Sequence, residues 1–104
     1  MENCKYCRRY MERARREVEN FDEACRILHM NPKSELEWPN IVKAFTMIGQ
    51  FGTIRLARAF PEVTDEAQFH LVAQTALHFY WMILEEWDAI LAETAAEREA
   101  KASR

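Results

Sequence analysis

The side chains best suited to chemistry in this sequence are three cysteines and a histidine in its N-terminal third. Cys4 and Cys7 are separated by two residues, and Cys25 and His29 are separated by three. A cysteine pair and a Cys/His pair with these local spacings are typical ligands of a tetrahedral zinc ion. A zinc site built from Cys4, Cys7, Cys25 and His29 is therefore one hypothesis, and zinc is the one cofactor that the sequence suggests.

The element that would carry these four residues argues against the metal. A continuous helix would separate the two pairs by roughly 27 to 32 Å at 1.5 Å per residue, too far for one ion. Only a helix break near Asn20, or an antiparallel dimer that shares its ligands, would bring the pairs together. The cysteines also belong to an apolar seam with alternating spacings of three and four, where cysteine commonly acts as a small packing residue. The seam consists of Cys4, Cys7, Met11, Ala14, Val18, Phe21, Cys25 and Leu28.

We therefore favour packing over metal binding for the cysteines. A redox pair at Cys4 and Cys7 is a third interpretation, but the βαβ context of such enzymes is absent. Three cysteines is an odd count, and no export signal is visible, so reduced thiols are expected rather than a disulfide framework.

No arrangement of residues in the sequence resembles a catalytic site. His29, His70 and His78 lack a carboxylate or nucleophile at a spacing that would define one, and Glu66 with His70 is typical of a surface pair on a helix. Gly-rich phosphate loops and nucleophile elbows are also missing. The sequence predicts a protein that is not an enzyme.

The N-terminal segment is basic although the whole chain is acidic. Residues 1–16 hold six basic and two acidic residues, a local charge of +4, whereas the full chain carries −3. The last 44 residues hold nine acids and three bases, so most of the molecule would repel phosphate. Nucleic-acid binding is thus an alternative function that the sequence does not favour. The basic patch that would serve it comprises Lys5, Arg8, Arg9, Arg13, Arg15 and Arg16.

Composition predicts an all-α fold in a single domain, residues 1–104. Apolar residues make up 49% of the chain, whereas only two glycines and three prolines interrupt it. We expect an antiparallel bundle of three helices at about 3–30, 34–59 and 65–98, with a long C-terminal helix and a frayed tail at 99–104. A kink at Gly49–Gly52 would make the second helix two and the bundle four-helical, because the apolar phase changes there.

Neither a secretory signal nor a membrane span is apparent. The longest apolar run, Phe79 to Leu84, is far shorter than the ~20 residues that cross a bilayer. The sequence therefore predicts a cytoplasmic protein with no membrane partner.

The third predicted helix is apolar on nearly all sides at its centre, which a helix with one buried face does not need. One seam should face the core, and a second ladder, mixed in polarity, suits a protein interface. The core seam comprises Phe69, Ala73, Ala76, Tyr80, Ile83, Trp87, Ile90 and Thr94. The predicted protein-binding ladder comprises Leu71, Thr75, His78, Met82, Glu85 and Ala89, with Trp81 beside it.

These observations together predict a helical interaction module, such as a small regulator, adaptor or inhibitor. It would bind another protein, homodimerise through the third helix, or do both. Small acidic helical proteins of this size are frequent among the regulators of phages and mobile elements.

Overall fold

A computed structural model describes residues 6–103, which form five α-helices, one short 3-10 helix and no β-strand. The helices are α1 (Cys7–Glu17), α2 (Phe21–Ile27), α3 (Trp38–Phe51), α4 (Thr53–Ala59) and α5 (Glu66–Ala102), and the 3-10 helix Glu35–Glu37 precedes α3. The predicted all-α class is confirmed. None of the helices in this part of the chain is both long enough and apolar enough to span a membrane.

The first predicted helix is wrong as a single element, because the chain breaks between α1 and α2. Val18 is extended, with φ −85° and ψ 113°, and Asn20 adopts the left-handed conformation with φ 63°. Asparagine enters this region more readily than most residues, so the break needs neither glycine nor proline. The apolar seam survives the break, since Ala14, Val18, Phe21 and Cys25 are all buried.

The second predicted helix breaks at Gly52, within the region where a kink was predicted. Gly52 has φ 81°, which favours glycine, and it separates α3 from α4. Gly49 has a different role inside α3. A Cβ there would lie 2.5 Å from Tyr80 Cβ and 2.6 Å from the Ala76 carbonyl oxygen. Glycine at position 49 thus permits a close approach of α3 to α5.

The helix α5 is the longest element, and α1, α2 and α3 pack against it. Its first turn is capped by Asp65, whose Oδ1 accepts a hydrogen bond from the Gln68 N–H at 3.0 Å. The N-cap of α5 is therefore the carboxylate of Asp65. The helix reaches Ala102, beyond the predicted end at about 98, and spans roughly 55 Å at 1.5 Å per residue.

Contacts between helices show how the chain runs around α5. Arg9 pairs with Glu93 and Glu86, whereas Glu19, later in the chain, accepts a hydrogen bond from Thr75, so α1 and α5 run in opposite directions. Arg8 pairs with Glu35 and lies over the Trp38 ring, which places the starts of α1 and α3 side by side. The segment with α2 therefore carries the chain back along the bundle.

Three phenylalanines from three helices form the centre of the core. Phe21 of α2, Phe45 of α3 and Phe79 of α5 have ring centroids 5.3 to 5.7 Å apart, and all three are buried. Aromatic pairs at such distances add about 0.5–1.5 kcal/mol each beyond the burial of their area. This cluster fixes which side of α5 faces inward.

Candidate interaction face

The inner face of α5 follows a seam that lies between the two predicted from the sequence. Its buried residues are Val72, Thr75, Ala76, Phe79, Met82 and Ile90. The predicted core seam lies at the edge of this face: Ala76 and Ile90 are buried, but Trp87 is 47% exposed. Trp87 is thus a correction, because it lies about 80° around the helix from Phe79 and stays about half exposed.

The predicted protein-binding ladder is divided between core and surface. Thr75 and Met82 are buried, Leu71 and Ala89 are half-buried, and His78, Trp81 and Glu85 are exposed. A partner protein could not reach Thr75 or Met82, so these two residues are corrections to the predicted site. Thr75 instead donates its hydroxyl to the Glu19 carbonyl oxygen at 3.4 Å.

A second apolar face of α5 points to solvent. Leu77 lies two residues before the buried Phe79, and two residues advance a helix by about 200°, so their side chains point in opposite directions. Five large apolar residues of this part of α5 have exposed fractions from 37% to 59%. Leu77, Trp81 and Leu84 lie opposite Phe79, whereas Leu91 and Trp87 lie nearer the edge of the core face. We call them the outer face: Leu77, Trp81, Leu84, Trp87 and Leu91.

Two open grooves flank the outer face near the N-terminal half of α5. One, of about 650 Å³, lies toward the α1–α2 turn and is lined by Glu19, Asn20 and Trp81 among others. The other, of about 300 Å³, lies toward the α3–α4 break and is lined by Gly49 and Gly52. His70, Gln74 and Leu77 line both grooves, so this part of α5 is a ridge between them.

A cluster of ion pairs holds α5 against α1. Glu86, whose side chain is only 12% exposed, accepts hydrogen bonds from both Arg9 and Arg13. Arg9 also contacts Glu93 at 3.1 Å, and Arg13 contacts Glu85 at 2.7 Å. Partial burial raises the pKa of Glu86, but hydrogen bonds from the two guanidinium groups outweigh burial and hold the pKa below its usual value. The carboxylate is therefore charged at neutral pH.

The predicted basic patch is largely occupied by contacts within the chain. Arg8 pairs with Glu12 and Glu35, and Arg16 contacts Glu17 at 3.4 Å. Arg9 and Arg13 bind the acids of α5 as described above, whereas Arg15 is exposed. Lys5 lies outside the described residues. The local charge of +4 in the sequence thus faces acidic side chains from α5 and from the 3-10 helix.

The structure gives the candidate metal ligands separate roles. Cys25 is a buried free thiol, and burial raises its pKa to about 12, so it is a neutral packing residue near pH 7. Cys7 is buried and disulfide-bonded, contrary to the expectation of reduced thiols, and this sulfur is not a thiolate ligand in this state. Cys4 lies outside the described residues. Within residues 6–103, no three His, Cys, Asp or Glu side chains are grouped to hold a metal ion.

His29 is an exposed residue that ends α2. It is left-handed, with φ 59°; its N–H donates to the Arg26 carbonyl at 3.0 Å, and the Met30 N–H donates to the Cys25 carbonyl at 2.9 Å. These two bonds define a Schellman motif with His29 at the position that glycine usually occupies. The sequence spacing from Cys25 to His29 therefore reflects a helix end.

The two remaining histidines lie on α5 beside the grooves. His70 is paired with Glu66 at 3.7 Å, as expected for residues four apart on a helix, and both side chains are exposed. His78 is exposed at the edge of the larger groove.

Comparison with known proteins adds no relative: no family model, no curated protein and no solved structure matches this chain.

Proposed function

We propose that this protein is a non-enzymatic helical interaction module that self-associates through the outer face of α5. The observation that carries the proposal is the set of five large apolar side chains, about half exposed, that extends from the side of α5 opposite the core to the edge of the core face. Their exposed area is on the order of 500 Å², which is in the range of the largest apolar patch on a typical monomer, about 300–600 Å², and a patch of this size is often functional. The proposal includes a role as a regulator, adaptor or inhibitor in the cytoplasm.

A second copy of the chain is the occupant that suits this face. Two copies would cover about 1,000 Å² through the outer faces alone, and the flanks of two helices would raise this into the ~1,200–2,000 Å² range of stable interfaces. Tryptophan is the residue type most often found at the energetic centre of an interface, and the outer face holds two. In a two-fold dimer every contact occurs twice, so a modest face is sufficient.

The test is the mass in sedimentation of the purified chain and of matched variants. We expect wild type to sediment near twice 12.3 kDa at about 100 µM. Trp81→Glu should shift the dissociation constant by at least ~30-fold, because about 2 kcal/mol or more is lost when a tryptophan anchor is removed. Its helicity by circular dichroism should not change, because Trp81 is 59% exposed.

Two control substitutions separate the surface from the core. Leu36→Glu places the same charge on a leucine that is 91% exposed and outside α5, and it should leave the dimer intact. Met82→Glu places the charge in the core and should unfold the chain. A monomeric wild type, or a Trp81→Glu protein that stays dimeric, would refute the proposal. A monomer that binds a different protein through this face would be a separate finding.

A further inference from the structure

We infer that the second copy packs antiparallel, with the two α5 helices crossing at Leu84. The inference rests on the proposed self-association and specifies its geometry. In this arrangement Leu84 meets the partner's Leu84, Leu77 meets the partner's Leu91, and Trp81 lies beside the partner's Asp88. The contacts come from the outer faces and from the C-terminal part of α5.

The position of the outer face along α5 favours a symmetric crossing. The outer face runs from Leu77 to Leu91 and is centred on residue 84, and α5 itself runs from Glu66 to Ala102 and has the same centre. A crossing at Leu84 therefore pairs the two helices over their whole length. Neither end of α5 is left without a counterpart in the other copy.

The one charged residue within the outer face distinguishes antiparallel from parallel packing. Asp88 is exposed and follows Leu77, Trp81 and Leu84 with spacings of four and three, so it interrupts an otherwise apolar row. Parallel packing in register would place Asp88 against the partner's Asp88, and facing like charges are unfavourable. Antiparallel packing places Asp88 beside the partner's Trp81, whose indole N–H can donate to the carboxylate.

Charges at the ends of α5 follow the same pattern. In the antiparallel pair, Glu66 lies opposite the partner's last turns, which hold Arg98 and Lys101 together with Glu97 and Glu99. The acidic start of each helix then meets a segment of the other copy that has no net charge. Parallel packing would instead place each Glu66 next to its own counterpart.

The C-terminal part of α5 gains a role in this arrangement. After Ile90 the helix continues for three turns with no fully buried residue among residues 91–102. In the antiparallel pair this extension lies along the partner's ridge between the two grooves, with Ala95 opposite the partner's Ala73. Small side chains at this contact, away from the crossing point, let the two helices stay close along their length.

Cysteine cross-linking tests the orientation. Leu77→Cys alone should give no covalent dimer under mild oxidation, because the two sulfurs would be roughly 21 Å apart along the helix axes. Mixing Leu77→Cys with a tagged Leu91→Cys chain should give the mixed dimer, released by reductant. Leu84→Cys should give a covalent dimer at the crossing point, and wild type is the control for the native cysteines.

The outcomes separate this inference from the proposed function. A covalent dimer of Leu77→Cys alone would overturn the antiparallel orientation and leave self-association standing. A protein that sediments as a monomer would overturn both. Asp88→Asn is the second variant: antiparallel packing predicts a dissociation constant raised about threefold to tenfold, whereas a tighter dimer would point to parallel packing and contradict the inference.

Discussion

Two residues with left-handed backbone explain why the N-terminal third of the chain differs from its prediction. Asn20 makes the break between α1 and α2, and His29 ends α2 in a Schellman motif. Both are residue types that tolerate positive φ better than most, but neither is a strong signal in a sequence. The regular seam around Asn20 concealed the break, because Val18 and Phe21 stay buried on both sides of it. The hypothesis of a zinc site included His29 because the spacing from Cys25 does not show that the backbone of His29 ends a helix.

His29→Gly should stabilise the protein by about 0.5–1 kcal/mol, because glycine adopts φ 59° without steric cost. The gain is reduced by the greater freedom of glycine in the unfolded chain. His29→Ala should be neutral or destabilising. Urea unfolding of the three proteins measures the difference.

The same pair of variants tests the zinc hypothesis at this position. If His29 binds zinc, both substitutions remove the ligand and both should destabilise the protein, with a loss of bound zinc. A stabilised His29→Gly protein whose helicity is unchanged by chelator supports the role of a helix end.

At the scale of the element, α5 shows why its buried side could not be chosen from the sequence. The true seam passes through Glu86, and a charged residue in a predicted core seam normally argues against it. The two predicted sets of α5 residues, the core seam and the protein-binding ladder, lie on either side of the true seam and do not contain Glu86. Only the tertiary contacts with Arg9 and Arg13, from a helix more than seventy residues earlier, make the position acceptable for a carboxylate.

Glu86→Gln should reduce the free energy of unfolding by about 1–3 kcal/mol at pH 7, since hydrogen bonds between charged groups are lost at a largely buried site. Glu93→Gln is the matched control. Its side chain is 60% exposed, so its ion pair with Arg9 should contribute less than about 1 kcal/mol. Urea unfolding at pH 7 provides the comparison.

The effect of Glu86→Gln should depend on pH in a defined direction. The pKa of Glu86 is lower in the folded than in the unfolded state, so its contribution is present above the unfolded pKa of about 4.3. The contribution is lost as the pH falls through the folded pKa. The difference between wild type and Glu86→Gln should therefore shrink from pH 7 to pH 3. A constant difference would show that the carboxylate charge is not what stabilises this contact.

At the scale of the whole molecule, basic and acidic segments that are far apart in the sequence lie in contact in the fold. In the sequence, the basic residues of α1 and the acidic residues of α5 lie near opposite ends of the chain. Because the two helices run in opposite directions, Arg9 and Arg13 lie beside Glu85, Glu86 and Glu93. The helical class and the break at Gly52 were predictable from composition and glycine spacing, but this pairing depends on the return of the chain at Asn20.

Nucleic acid should therefore bind weakly. Fluorescence anisotropy with a labelled duplex should give a dissociation constant above about 10 µM at 150 mM salt, because few guanidinium groups are left to displace counterions. Glu93→Gln, which frees part of Arg9, should bind somewhat more tightly at low salt. Sub-micromolar binding that selects a sequence at 150 mM salt would contradict this expectation.

Because α5 has two apolar faces, either face could in principle be turned toward the core by rotating the helix about its own axis. A half-turn would bury Leu77, Trp81 and Leu84 and would expose Val72 and Phe79, so large apolar side chains would be inside in either orientation. The presence of large apolar side chains alone therefore does not select the inner face. The discriminating contacts are the packing of Phe79 against Phe21 and Phe45, the close approach of Ala76 to Gly49, and the carboxylate of Glu86 between two arginines. The ion pairs of Glu86 thus help to fix the rotation of α5 about its axis. The apolar surface available to a second copy depends on that rotation.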